Sequence, residues 1–355
     1  MNKPKMLVTA ATGKTGAATA RMLLSQGYPV RALVHRSDAR SEALRTAGAE
    51  IIAGSQEDLV TLRAALAGVH RAYYCPPLTP GALRRATLFA CAAREAGLEV
   101  AVVLSQWLAD PLYPGVHARE KWLSSQMFEW LPGVDIVTVN PGFFADNYLA
   151  VLEPIAHFGL MAMPLGEGLN APPSNEDVAR VIVGALTDPA PHIGKSYRPT
   201  GPQLLSPPQI AAIIGKVLGR PVKYQNAPMT LFLKAAKSLG YADFVIEELH
   251  SFLLDYQRGS FGVGAPTDAV RTVGHSEPEP FELIAQRYVT ASGFERRTVG
   301  SMALAIANLI KTLLTAAPDP KRIARRLELP AIEHALLAAA LSLGVILTPS
   351  EPSLE

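Results

Sequence analysis

The residues with the clearest chemistry stand near the start of the chain. A short apolar run, Lys5–Thr9, leads into Thr9-Ala10-Ala11-Thr12-Gly13-Lys14-Thr15-Gly16, and a helical pattern begins at about Thr15. A small-residue loop between a strand and a helix offers free backbone N–H groups and the positive end of a helix dipole to a pyrophosphate. Gly13 lets the backbone approach the phosphates, and Gly16 lets the helix pack close to the strand. Ala10 takes the place of the usual first glycine, which an alanine can fill only where φ is negative. The run Gly13-Lys14-Thr15 matches the end of a nucleotide-triphosphate loop, but the upstream glycine would fall at Val8.

The end of the second strand reports on the nucleotide. An acid there would hold a ribose 2′-OH. This chain has His35-Arg36-Ser37, with no carboxylate before Asp38. Arg36 suits a 2′-phosphate, which it can pair in a bidentate way, and Lys14 would add a second cation. The expected cofactor is NADP(H); the alternative is that Arg36 is an ordinary solvated arginine. Cys75, at a strand end, reads as a small buried apolar residue rather than a reactive thiol. Trp107, Trp122, Phe143, Phe144 and Tyr148 would line an apolar pocket or belong to the core. The histidines lack ligand spacing, so no metal is expected.

The elements that must position these groups alternate regularly. Strands are expected at Val30–His35, Glu50–Ala53, Ala72–Cys75, Val100–Leu104 and Ile136–Val139. Helices lie between them, the last at Glu120–Leu131. Short, almost wholly apolar strands alternating with helices predict an α/β fold: a doubly wound, parallel Rossmann-type sheet with both faces covered. Residues 1–150 would form this dinucleotide-binding domain, and the chain would return to the sheet over about 174–202. Residues 151–297 would form a smaller mixed substrate-binding region, with a helical tail over 298–355. Helices capped by Ser174 and Ser206, and short strands at Ser196–Thr200 and Val222–Gln225, are expected within it.

Composition narrows the classes. The chain has 355 residues, 49% hydrophobic and 18% charged, with 33 basic and 31 acidic residues. That balance is unlike a dedicated nucleic-acid binder. Two cysteines fit a reducing compartment, and with no export signal the expected location is cytoplasmic. The longest apolar run, Ala335 to Thr348, is too short to span a bilayer and reads as a buried helix. The C-terminal helices are candidates for a homo-oligomer contact.

The segments VTAATGKTG, VRALVHR, GAEIIAGSQEDLVTLRAALAGVHRAYYCPP, VTVNPGFFADNY, SNEDVARVIVGAL and YRPTGPQLLSPPQIAAIIGKVLGRPVKY occur in this order. Together they resemble the NmrA-like family of atypical short-chain dehydrogenases, over about Lys5 to Pro228. The resemblance implies an NADP(H)-binding Rossmann domain with a smaller substrate domain. It includes NADPH-dependent quinone and isoflavone-type reductases, and redox sensors that bind dinucleotide without turning it over. By position it implies cofactor contacts from Thr9, Ala10, Thr12, Gly13, Lys14, Thr15, Gly16, His35 and Arg36. Further contacts would come from Cys75, Pro76 and Pro77 near the nicotinamide ribose, and from Ser105, Gln106, Asn140, Pro141, Gly142 and Phe143 at the nicotinamide end. Ser55-Gln56 stands where the family often has an acid.

Ordinary short-chain dehydrogenases use a tyrosine and a lysine four residues on. Here the spacing gives Tyr113 and His117, with Ser105 eight residues upstream of Tyr113. The resemblance offers Lys121 as the alternative general acid. The expected function is NADPH-dependent reduction of a small apolar or aromatic carbonyl, quinone, enone or imine. A non-catalytic NADP(H)-binding redox sensor and non-redox metabolite chemistry on the same fold stand as alternatives.

Overall fold

A computed structural model describes residues 3–330. Its first half alternates strand and helix: β1 (Met6–Val8), α1 (Lys14–Ser25), β2 (Val30–Val34), α2 (Ala39–Thr46), β3 (Glu50–Ala53), α3 (Leu59–Leu66), β4 (Arg71–Tyr74), α4 (Ala82–Glu95), β5 (Val100–Leu104), α5 (Val116–Glu129) and β6 (Asp135–Val139). Then follow α6 (Ala145–Leu149), α7 (Leu152–Phe158), β7 (Leu160–Met163), α8 (Asn175–Thr187), β8 (Ser196–Tyr197), α9 (Pro207–Val217) and β9 (Lys223–Asn226). The remainder is helical: α10 (Met229–Ser238), α11 (Asp243–Gln257), α12 (Ala269–Thr272), α13 (Phe281–Ser292), α14 (Val299–Leu314) and α15 (Pro320–Arg326).

Seven strands form one sheet in the order β3-β2-β1-β4-β5-β6-β8, with every pairing parallel. The order reverses between β1 and β4, and the crevice at such a reversal is where open α/β sheets hold ligands. β1, β2 and most of β4 to β6 are buried because helices cover both faces. β1 and β2 send Met6, Val8, Val30, Ala32 and Val34 into the core beneath α1 and α8. Leu7 and Leu33 enter the core beneath α3 and α4. This is the doubly wound Rossmann-type fold that the alternation predicts.

The capping expectations hold at the side-chain level. Ser174 Oγ accepts the Asp177 N–H at 2.8 Å, and Ser206 forms a reciprocal capping box with Gln209. Three boundaries differ from expectation. α5 starts at Val116 rather than Glu120, placing His117 in its first turn. β8 is only two residues long. β9 pairs in parallel with β7, for which the sequence reading has no strand, in a separate two-stranded sheet. The apolar run Ala335 to Thr348 lies outside the described residues.

Candidate functional site

The loop after β1 is held from both sides. The Thr9 N–H donates to the Tyr73 carbonyl in β4 at 3.0 Å, and the Ala11 N–H donates to the Leu33 carbonyl in β2 at 3.2 Å. Between these anchors the chain turns sharply, and the Gly13 N–H closes onto the Ala10 carbonyl at 2.8 Å. The turn places Ala10 at φ +48°, in the left-handed region. This corrects the expectation of a negative φ: the two flanking strand bonds impose the turn, and the alanine bears its cost of about 1 kcal/mol. Gly16 is obligatory, because a Cβ there would lie 2.3 Å from the Ala10 carbonyl oxygen.

Gly13 caps α1 without any side-chain hydrogen bond to the first turn, so those N–H groups stay available to an anion. Thr15 instead faces α8, donating to Asn175 Oδ1 at 2.8 Å. Thr9 Oγ1 accepts the Cys75 N–H at 2.8 Å, tying the ends of β1 and β4 together. Lys14 differs from expectation. Its ammonium is paired with Asp146 at the start of α6 and lies over the Tyr288 ring of α13, so it does not turn toward the adenosine end.

At the end of β2, His35 and Arg36 are exposed. Asp38, the nearest carboxylate, is committed to capping α2 through the Arg40 and Ser41 N–H groups. It is also paired with the Arg40 guanidinium at 2.6 Å. Arg40 reaches the Thr12 carbonyl of the loop at 3.4 Å, a neighbour of the phosphate loop that the sequence reading did not select. The end of β2 therefore presents cations and no free acid, which fits a 2′-phosphate better than a 2′-hydroxyl. Gln56, in the place of the family's acid, donates to the Cys75 carbonyl at 3.1 Å.

Beyond the carboxyl ends of β5 and β6 lies a largely apolar cleft of about 270 Å³. Pro76, Ser105, Gln106, Trp107, Pro141, Gly142, Phe143 and Phe144 line its sheet side. His117 and Lys121 of α5 form one flank, and Leu249, Phe252 and Phe261 close it from the C-terminal region. Trp107, Phe143 and Phe144 thus belong to the cleft. Tyr148 is core, bonded to Tyr256 at 2.7 Å, and Trp122 does not line it. Nothing in the sequence ties Leu249, Phe252 or Phe261 to this cleft, because only the fold brings α11 over α5.

Lys121 is 5% exposed and donates to the Leu104 carbonyl at 2.5 Å, with no acid paired to it among the described residues. Burial in this apolar flank lowers its ammonium to about 8. His117, also 5% exposed, is held well below the imidazole range, at about 3, by burial and then by the Lys121 and Arg85 charges; it is neutral at ordinary pH. Among the described residues its Nδ1 has no hydrogen-bond partner, nor has Gln106 Nε2 in the same cleft or Asn140 Oδ1 at the end of β6. Ser105 and Ser125 hydroxyls lie 3.4 Å apart beside them.

One expected residue falls elsewhere. Tyr113 is fully buried on the loop before α5 and does not line the cleft. Its ring packs near Phe252, and burial together with Asp255 holds the phenol well above its ordinary value. The prolines around it give a loop that turns the ring inward, so the Tyr113/His117 spacing builds no acid–base pair. Cys75 is raised by burial and is not an activated thiol. No cluster of metal-ligating side chains occurs among the described residues.

The chain is 32% identical to an NAD(P)H azoreductase of Xenophilus azovorans over 246 residues, which is 69% of this chain and 85% of that protein. Its fold matches an NADPH-dependent quinone oxidoreductase of Escherichia coli solved with NADPH, at TM-score 0.68 and 24% identity, covering 79% of this chain and 99% of that one. It also matches NmrA, a negative transcriptional regulator solved with NADP, at TM-score 0.69 and 19% identity, covering 82% and 97%. The model of the NmrA-like family matches residues 2–263, the stretch that holds the loop, the end of β2 and the cleft; the chain belongs to the NmrA-like family.

Proposed function

We propose that this protein is an NADPH-dependent reductase of a small apolar or aromatic substrate carrying a carbonyl, quinone, enone or imine group. The observation that carries this reading is the buried Lys121. It is an acid held at about 8, facing an apolar cleft at the carboxyl ends of β5 and β6, beside polar atoms that lack partners. The relatives named as an azoreductase and as a quinone oxidoreductase support it.

The residues present fit a dinucleotide phosphate. The uncapped first turn of α1, with Gly13 and Gly16, would hold the pyrophosphate, and Arg36 and Arg40 would meet the 2′-phosphate. Reduced nicotinamide supplies hydride when bound. Trp107, Phe143 and Phe144 exclude water and hold the flat substrate, and Gln106 and His117 offer it hydrogen bonds. Lys121 delivers the proton that completes the reduction: hydride adds to one end of the C=O, C=N or conjugated enone or quinone system and the proton to the other.

The test is calorimetric titration with NADPH and NADH, on wild type and Arg36→Ala, followed by NADPH oxidation with a panel of quinones, enones and imines. NADPH preference weakened at least tenfold by Arg36→Ala, with turnover of a panel member, is the expected result. Tight binding with no turnover across the panel would replace the reductase with the dinucleotide-sensing reading. Absence of dinucleotide binding would remove both.

A further inference from the structure

α14 lies beyond the stretch that the family model matches, which ends at residue 263, and reduction has no use for its outer surface. One side of the helix is seated on the body of the molecule. Ala305 is buried, Asn308 donates to the Glu153 carboxylate of α7 at 3.0 Å, and the Thr312 hydroxyl lies 3.0 Å from that of Ser238 in α10. The opposite side carries Val299, Ala303, Ile306, Ile310 and Leu313, all exposed, at alternating steps of four and three residues. Val299 is 90% exposed, Ile306, Ile310 and Leu313 are 44–53% exposed, and the flanking Leu314 is 81% exposed. Alternating four–three spacing keeps side chains in one line along a helix, and an apolar line of this kind is a seam that meets another helix. A surface helix otherwise turns polar side chains outward, and a contiguous exposed apolar patch marks an interaction site.

No charge interrupts the seam. Lys311 is the only charged residue of α14, and it lines the groove between α14, α7 and α10 instead. Lys234 of α10 donates to the Leu313 carbonyl and closes the last turn. The cations of α15 belong to a different face. Ile323 packs on Leu233 and Ala236 of α10, whereas α14 meets α10 at Leu231, Ala235 and Ser238, on its other side. The groove holds about 200 Å³, and Phe158, Leu239 and Leu309 on its walls are themselves exposed, so apolar surface continues beside the seam. Together with these, the outward side chains of α14 expose the equivalent of about five whole aliphatic side chains, on the order of 800 Å², which is what one partner brings to a stable interface.

The seam is complementary to itself. Its spacing reads the same in reverse, so a two-fold axis passing midway between Ile306 and Ile310 sets Ile306 against Ile310 of the second copy and Ala303 against Leu313 of the second copy. A small side chain then faces a large one at each end, and the two isoleucines match in the middle. Such alternation of volumes is what close helix packing requires. We propose that the outward face of α14 joins two copies of this protein through an antiparallel helix pair. The proposal is independent of the reductase reading.

The test is light scattering and sedimentation equilibrium of the full chain over a wide range of micromolar concentration. A dimer is expected. Ile306→Asp combined with Ile310→Asp should weaken it about a hundredfold or more, because the contact would then bury carboxylates without partners, and should leave the circular dichroism spectrum unchanged. Val60→Asp, the same kind of change at a 70% exposed residue of α3, should leave the dimer intact. In a Cys91→Ser background, Ala303→Cys with Leu313→Cys should give a covalent dimer on mild oxidation, and neither cysteine alone should do so. A monomer throughout the range would overturn the proposal. If the paired aspartates then lowered its melting temperature, the face would belong to residues 331–355 of the same chain. A dimer that survives the paired aspartates would place the contact elsewhere, and cross-linking by either cysteine alone would refute the antiparallel register.

Discussion

At the scale of single residues, the proposed chemistry rests on a lysine kept out of water. Charging Lys121 in the folded protein is harder than in the unfolded chain, so its acid form is present below about pH 8 and lost above it. If Lys121 supplies the proton, kcat should fall as pH rises through about 8, by up to tenfold per pH unit. Lys121→Met should lower kcat by about 10²–10³ with little change in NADPH affinity. A Lys121→Met enzyme that keeps the wild-type rate and pH profile would assign the proton to solvent. The same depression makes the folded protein gain stability between about pH 8 and the ordinary lysine value of 10.5. Sequence reading selected Lys121 and His117, but only as alternatives. Residue spacing alone pairs Tyr113 with His117; the inward turn of Tyr113 depends on Phe252 and Asp255, more than 130 positions away.

At the scale of elements, the strand–helix alternation up to β6 was legible because buried parallel strands are short apolar runs with glycine at the helix ends. Positive φ at Gly27, Gly48, Gly68 and Gly97 follows that pattern. β7 was not legible: Leu-Met-Ala-Met has helix-forming residues and no β-branched ones, and only pairing with β9 makes it a strand. α13 does show its buried face in Phe281, Ile284, Ala285 and Val289, yet the Pro- and Gly-rich stretch before it obscures the start. The strained element is the first turn of the loop. Ala10→Gly should relieve the left-handed alanine and stabilise the fold by about 0.5–1 kcal/mol, a rise in melting temperature of about 1–3 °C, while retaining NADPH binding. A fall in melting temperature would show that the turn does not strain Ala10.

At the scale of the whole molecule, buried polar groups join the sheet domain to the C-terminal helices. Glu248 of α11, fully buried, accepts the His117 N–H at 2.9 Å and so caps α5 from across the cleft. Burial, with Glu247 adjacent, pushes its carboxyl up to about 8. The folded protein therefore holds this proton more tightly than the unfolded chain, and stability from this group falls as pH rises from about 4.5 through 8. Glu248→Gln keeps an acceptor for His117 and removes the proton. Its melting temperature should vary less than that of wild type between pH 5 and about 8.5, the gap favouring the variant at the alkaline end. Parallel pH curves for the two proteins would mean that Glu248 stays ionised. No sequence spacing announces this joint, because its two sides are 131 positions apart.

The Lys14–Asp146 pair spans the same divide and bears on how a dinucleotide enters. The lysine beside the phosphate loop is already neutralised by a carboxylate of α6, so the attraction an approaching anion feels comes from the backbone of α1 and from Arg36 and Arg40. If a bound phosphate draws Lys14 away from Asp146, entry exchanges one anion for another and the pair slows it. Asp146→Asn should raise the association rate of NADPH several-fold at low salt and lose most of that advantage near physiological salt, measured by stopped-flow fluorescence. A mutant rate equal to that of wild type at both salt concentrations would leave the pair a purely structural link.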